Sequence, residues 1–295
     1  MLTDELMREV KRLQFRTNRR VNDLFAGNYR SAFKGQGLEF DDVREYEPGD
    51  DVRSIDWNVT ARTGVPFVKR FVEERQLTVM LVVDVSASES FGSGAQSKRR
   101  LGVEVAATLG TAAARNRDRV GLMLFAEEPE LFIPPRTGKN HLLRIMREMI
   151  DFSPRTTGTD MGGALNMLGH VLRRRSIVFV LSDFLMPDEA RASGERALKR
   201  LNRQHDTIAV RLVDPKEADL PAIGLVRLRD PETGRTRLVD LTRRASRRHR
   251  REFEKRRAEA DRALARCGVD RVECATDRPF LRDLVSLFNR RGRAA

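Results

Sequence analysis

The stretch Leu77-Thr78-Val79-Met80-Leu81-Val82-Val83-Asp84-Val85 constrains this chain more than any other segment. It is apolar at odd and even positions alike and rich in valine. Such a run leaves no face for water, so it reads as a strand buried on both sides of a parallel sheet. A second run, Ile177 to Leu181, repeats the pattern, with Asp183 close behind it as Asp84 closes the first. Between and after these runs the periodicity alternates. Helices are expected at Arg99–Asn116, His141–Ile150, Met161–Leu172, Glu189–Leu201 and 244–266, and strands at Val120–Phe125, Leu131–Ile133, Thr207–Leu212 and Val269–Ala275. A hairpin is expected from Leu225 to Leu241, turning at Asp230, Pro231 and Gly234, and a last helix at Leu281–Phe288. This order predicts an α/β fold, an open and mostly parallel sheet with helices on both faces.

Residues 1–76 read differently and are expected as a unit apart from residues 77–295. Leu6, Val10, Leu13, Val21 and Leu24 recur at helical spacing, which predicts a helical leader ending near Gly27. From Phe33 to Gln76, short apolar stretches broken by Gly35, Gly37, Pro48, Gly49, Gly64 and Pro66 suit strands and turns better than helices, with a strand over Val65–Val72.

Charge and composition exclude some classes and leave others open. The 56 Lys and Arg against 43 Asp and Glu give a net charge of +13. That balance attracts nucleic acid, anionic lipid or acidic protein alike. No apolar stretch approaches the ~20 residues of a membrane span, and Asp4, Glu5 and Glu9 spoil any secretory pattern near Met1. A cytoplasmic location is therefore expected. Cys267 and Cys274 are too few for a disulfide framework and read as reduced structural thiols.

In open α/β sheets, ligands sit beyond the carboxyl ends of the strands. Asp84 and Asp183 both fall there. Ser86 and Ser88 follow Asp84 at two-residue spacing, giving one carboxylate and two hydroxyls on a single turn, a half-shell of oxygens suited to a hard divalent ion. Ahead of another helix, the loop Thr156-Thr157-Gly158-Thr159-Asp160 offers a further hydroxyl, Thr159.

Asp84-Ser86-Ser88, then Thr159, then Asp183, each at a strand end or in a strand-to-helix loop, resemble the metal-ion-dependent adhesion site of the von Willebrand factor type A domain. The resemblance implies direct Mg²⁺ ligation by Ser86, Ser88 and Thr159, with Asp84 and Asp183 acting directly or through water. An acidic residue of a protein partner would complete the shell. Mn²⁺ suits the same oxygens. Phe184 stands where many members have glycine, a departure expected to change access rather than the ligand.

Upstream, Leu38-Glu39-Phe40, the block Val43 to Asp51, then Arg53-Ser54-Ile55-Asp56-Trp57 and Thr60-Ala61-Arg62 resemble the hallmark of a bacterial family called domain of unknown function 58. In that family the block precedes a von Willebrand A-like domain. The resemblance implies a chaperone-like or maturation factor acting with a MoxR-type AAA+ ATPase. Read physically, Pro48-Gly49-Asp50-Asp51 is a turn. Asp50, Asp51 and Asp56 with Arg44, Arg53 and Arg62 are expected to pair around Trp57, either holding the small unit against the sheet or facing a partner.

Enzymatic readings fit less well. A haloacid-dehalogenase-type phosphotransferase needs a second carboxylate at position 86, which is serine. No nucleophile elbow accompanies His141, His170, His205 or His249, and Gly138-Lys139-Asn140 fails as a phosphate loop. The expectation is a non-enzymatic module. The densest basic cluster, residues 243–257, supplies the alternative of a nucleic-acid or anionic-surface site, although Phe253 is its one aromatic and Glu252 and Glu254 interrupt it.

Overall fold

The computed structural model describes residues 3–33, 38–73, 76–94, 96–229 and 236–294. Two helices open the chain, α1 (Thr3–Arg20) and α2 (Asp23–Ala32). They break at Asn22, not at Gly27. The Asn22 side chain accepts the Phe25 N–H at 2.9 Å and so caps α2. Then come β1 (Leu38–Glu45), α3 (Trp57–Thr63) and β2 (Phe67–Glu73), with β1 and β2 paired antiparallel.

The main sheet begins with β3 (Thr78–Asp84) and continues through α4 (Lys98–Arg115), β4 (Arg119–Phe125) and β5 (Pro129–Arg136). After α5 (Lys139–Asp151) and α6 (Met161–Val171) come β6 (Ile177–Ser182), α7 (Asp188–Gln204) and β7 (Asp206–Val213). The hairpin β8 (Gly224–Arg229) and β9 (Thr236–Leu241) forms a two-stranded sheet of its own, and its expected turn residues lie outside the described residues. The chain ends through α8 (Arg243–Arg266), β10 (Asp270–Ala275) and α9 (Leu281–Ala294).

Strand order in the six-stranded sheet is β10-β7-β6-β3-β4-β5, parallel except for the edge strand β5. The double-sided burial of β3 has its reason in this order. Val79, Leu81 and Val83 point into a core shared with α1, α2, α4, α5 and α9, while Met80 and Val82 point into a second core under α6, α7 and α8. Connections leave β3 toward β4 on one side and return at β6 on the other. The gap between the carboxyl ends of β3 and β6 is therefore the topological switch point, where such sheets bind ligands.

The expected unit of residues 1–76 divides. Leu6, Val10, Leu13, Val21, Phe25 and Tyr29 are buried in the same core as β3, so the leader helices belong to the sheet domain. Tyr29 donates to Asp118 at 3.0 Å, ahead of β4. Residues 38–73 form a small unit in which Ile55 bridges to Val68 and the Asp56 N–H donates to the Phe67 carbonyl. The helix α3 inside it contradicts the expectation of strands and turns alone. Asp56 caps it, and Gly64 ends it at φ 77°, a left-handed geometry that glycine takes without strain.

Candidate functional site

Asp84 is the last residue of β3 and Asp183 the first after β6, so both carboxylates sit at the switch point. Asp84 is fully buried. Its Oδ1 accepts the Ser86 N–H at 3.0 Å and its Oδ2 the Ser182 hydroxyl at 2.8 Å. These bonds bend the chain at once after the strand. The Ser86 and Ser88 hydroxyls consequently lie 3.1 Å apart. The Thr156–Asp160 loop closes on the same turn: the Ala87 N–H donates to the Thr157 carbonyl at 3.2 Å, and the Asp160 N–H to the Ala126 carbonyl at 2.8 Å. Thr159 is half-buried in that loop, and its hydroxyl has no hydrogen bond among the described residues.

Among the described residues, no three or more His, Cys, Asp or Glu side chains make a metal group by themselves. A metal here would rest on hydroxyls, and the donor set fits that. Neighbouring oxygens of an Mg²⁺ octahedron at 2.0–2.1 Å stand about 3 Å apart, which the Ser86–Ser88 separation meets. Both Asp84 oxygens are already engaged, which suits an outer role through water. Burial, and then the charge of Asp183, push the Asp84 carboxyl up to about 6. A cation between the two carboxylates would relieve that strain.

Sequence reading missed the most unusual feature of the site. Lys98, the first residue of α4, is completely buried, with Nζ 2.8 Å from Asp183 Oδ2, 2.7 Å from Glu217 Oε1 and 3.9 Å from Glu89 Oε1. Burial opposes its charge, but the three carboxylates outweigh burial and raise its pKa. Burial pushes the Glu89 carboxyl well above the usual range against the pull of Lys98, and pushes Glu217 upward as well. Glu89 Oε1 accepts the Asp183 N–H at 3.1 Å, so the fixed ammonium and Glu89 together hold Asp183 in place. One signal was available: a lysine in the first turn of a helix opposes the macrodipole, so a cation there needs another reason.

Phe184 has φ 60°, a left-handed backbone that a bulky residue enters only under strain. Its ring is buried in the core beneath α6–α8.

The hallmark block is not a web around Trp57. Arg44 holds Asp50 in two bonds of 2.6 and 2.9 Å. Asp51 caps the turn at Val52–Ser54, and Asp56 caps α3 and approaches Lys69 at 3.8 Å. These contacts are internal to the small unit. Trp57 is 66% exposed, and Arg62, five residues further along α3, is exposed as well. Side chains of Leu38, Glu39 and Phe40 lie outside the described residues.

His141, His170 and His249 bond backbone carbonyls, and His205 is buried at the end of α7. Both cysteines are buried and unpaired. On α8, Arg248 and Arg250 pair with Glu252 and Glu254, while Arg243, Arg244, Arg247, Arg251 and Lys255 have no ion pair among the described residues. No described helix is long and apolar enough to cross a membrane.

A family model described as protein of unknown function DUF58 matches residues 42–263. The chain belongs to the DUF58 family. An uncharacterized protein of Mycobacterium tuberculosis is 31% identical over 293 residues, covering 99% of this chain and 91% of the relative. Protein YeaD of Bacillus subtilis, also uncharacterized, is 27% identical over 36% of this chain and 25% of its own length. Among solved structures, the conserved hypothetical protein BatB from Bacteroides thetaiotaomicron superposes on 74% of this chain and 99% of its own, with TM-score 0.51 and 14% identity. That likeness concerns the fold alone, the mostly parallel six-stranded sheet with helices on both faces.

Proposed function

We propose that this DUF58 protein is a non-enzymatic, Mg²⁺-dependent protein-interaction module. The observation that carries the reading is the turn at the switch point, where the Ser86 and Ser88 hydroxyls lie 3.1 Å apart beside the Thr156–Asp160 loop, just after Asp84. Ser86, Ser88 and Thr159 would hold the ion, with Asp84 and Asp183 behind them. Bound there, Mg²⁺ or Mn²⁺ offers an open coordination position to a carboxylate of a partner. The protein's own part is to fix the oxygens: Ser182 and the Ser86 N–H orient Asp84, while Lys98 and the Leu185 N–H orient Asp183.

The partner we favour is a MoxR-type AAA+ ATPase in the cytoplasm, with this chain acting as a chaperone-like or maturation factor. The exposed Trp57 and Arg62 of α3 supply a second contact surface. The test is capture of a MoxR-type ATPase from the same genome by the purified chain, in Mg²⁺ and in EDTA, with Asp84→Ala as control. The proposal expects capture in Mg²⁺ that EDTA and Asp84→Ala both abolish. Equal capture in EDTA, or by a folded Asp84→Ala protein, would sink the metal-bridge reading. The alternative, an anion-binding surface along α8, draws support from cations with no ion pair among the described residues, Arg243, Arg244, Arg247, Arg251, Lys255 and Arg256 among them. It predicts nucleic-acid binding that falls steeply with salt and is indifferent to Asp84.

A further inference from the structure

Away from the switch point, α2 and α9 flank a shallow groove of about 560 Å³. The two helices are locked together by Phe25 and Phe288, whose ring centroids are 5.4 Å apart, and by Tyr29 against Phe288 at 5.9 Å. The groove is therefore preformed. Its α9 wall is one face of the helix: Leu281, Val285, Asn289 and Arg293 follow at four-residue spacing, with Arg282, Ser286 and Arg290 beside them. At 1.5 Å per residue this wall runs about 18 Å, the length of roughly three helical turns.

Two properties of the groove call for an occupant. Among the described residues no carboxylate lines it, while Arg20, Arg282, Arg290 and Arg293 do. Arg20 is committed to Glu104 at 2.7 Å, and Arg290 reaches Ser286 and the Arg271 carbonyl. Arg282 and Arg293 are exposed and have no hydrogen-bond or ion-pair partner among the described residues. The helix itself does not account for Arg282. A cation in the first turn of α9 opposes the macrodipole, whereas Arg293 in the last turn complements it. The second property is an apolar strip between these charges, in which Leu24 is 70% exposed beside Leu281 and Val285.

We propose that this groove docks an acidic amphipathic helix of a partner protein, leucine-like side chains on the strip and carboxylates against Arg282 and Arg293. The mode is helix-in-groove, with anchors at i and i+4 matching Leu281 and Val285. Charge complementarity sets orientation and register. Nucleic acid fits less well, since the one aromatic ring of the groove, Phe25, is buried and offers no stacking face. The groove is built from residues 20–25 and 281–293, outside the family match at 42–263. It is independent of the metal reading.

The experiment is fluorescence anisotropy of the full chain with labelled 18-residue peptides. One presents leucines at four-residue spacing flanked by glutamates, one replaces the glutamates with lysines, and one is polyglutamate. The variants are R282E with R293E, Leu24→Asp, and a control after α6, R173E with R174E; circular dichroism confirms that each is folded. The expected result is saturable binding of the glutamate–leucine peptide only, weakened at least tenfold by R282E/R293E and by Leu24→Asp, and unchanged by the R173E/R174E control. No binding, equal binding of polyglutamate, or indifference to Leu24→Asp would overturn the proposal. So would binding to vesicles of phosphatidylserine and phosphatidylcholine that depends on the same arginines while the peptide fails to bind, since the groove would then face a lipid surface.

Discussion

Replacing Lys98 with methionine is the most informative single perturbation of the sheet domain. The side chain keeps nearly the same length and loses only its charge. In the native protein the ammonium contacts Glu217 at 2.7 Å and Asp183 at 2.8 Å, with those partners only 14% and 13% exposed. At an effective dielectric of 20, each pair is worth about 6 kcal/mol before desolvation. Desolvation consumes several kcal/mol per ion, and removing one member of such a cluster typically costs about 3–5 kcal/mol because the other charges stay buried. Against the ~5–15 kcal/mol that holds a domain together, that loss is large. The sign of its pH dependence is fixed. Burial already raises Glu89 and Glu217, and Lys98 is the cation that pulls them down. Without it their folded pKa values rise further above the unfolded ones. The variant's stability is then present at low pH and lost as pH rises through the raised values. Urea unfolding at pH 7.5 should show the Lys98→Met deficit of about 3–5 kcal/mol, shrinking at pH 5. A deficit below about 1 kcal/mol, the scale of an exposed pair, or one equal at both pH values, would refute the reasoning.

Two further predictions concern groups away from Lys98. Burial pushes Asp118 up to about 6, against the Leu77 N–H and the Tyr29 hydroxyl that favour its charge. A folded pKa above the unfolded value of about 4 gives stability that is full below pH 4 and lost as pH rises through 6. Subtracting the unfolding free energy of Asp118→Asn from that of the wild type should expose this decline; a flat difference from pH 4 to 7 would contradict it. At Phe184, φ 60° makes glycine the better small replacement. Both Phe184→Gly and Phe184→Ala lose the buried ring, about 3–5 kcal/mol, yet the glycine variant should be the more stable by about 1 kcal/mol; the reverse order in thermal unfolding would remove the argument from backbone strain.

The parts of the site that sequence reading found are those encoded locally. A strand apolar on both faces and ending on aspartate, the Ser86 and Ser88 spacing, and a threonine loop ahead of a helix are each written within a few residues. The parts it missed depend on distant chain segments. Lys98 meets Asp183 and Glu217 only because α4 begins beneath the ends of β6 and β7, and its neighbours Arg99 and Arg100 make it look like one more surface cation. The leader's spacing showed helix but not what the helix covers, so a boundary at residue 76 looked natural although Val10, Phe25 and Tyr29 are packed in the sheet's core. Around Trp57, the charge pattern suggested a cluster. Asp51 and Asp56 instead serve as caps, the commonest use of aspartate beside a turn.

The central claim is that the oxygens after β3 and β6 bind a divalent cation. Titration with Mn²⁺, followed by the loss of the free ion's electron paramagnetic resonance signal, tests it directly. The account predicts one Mn²⁺ per chain, displaced by Mg²⁺, with affinity at least tenfold weaker in Ser86→Ala/Ser88→Ala while the fold is kept. Saturation that survives that double substitution, or no binding by the wild-type chain, would contradict it.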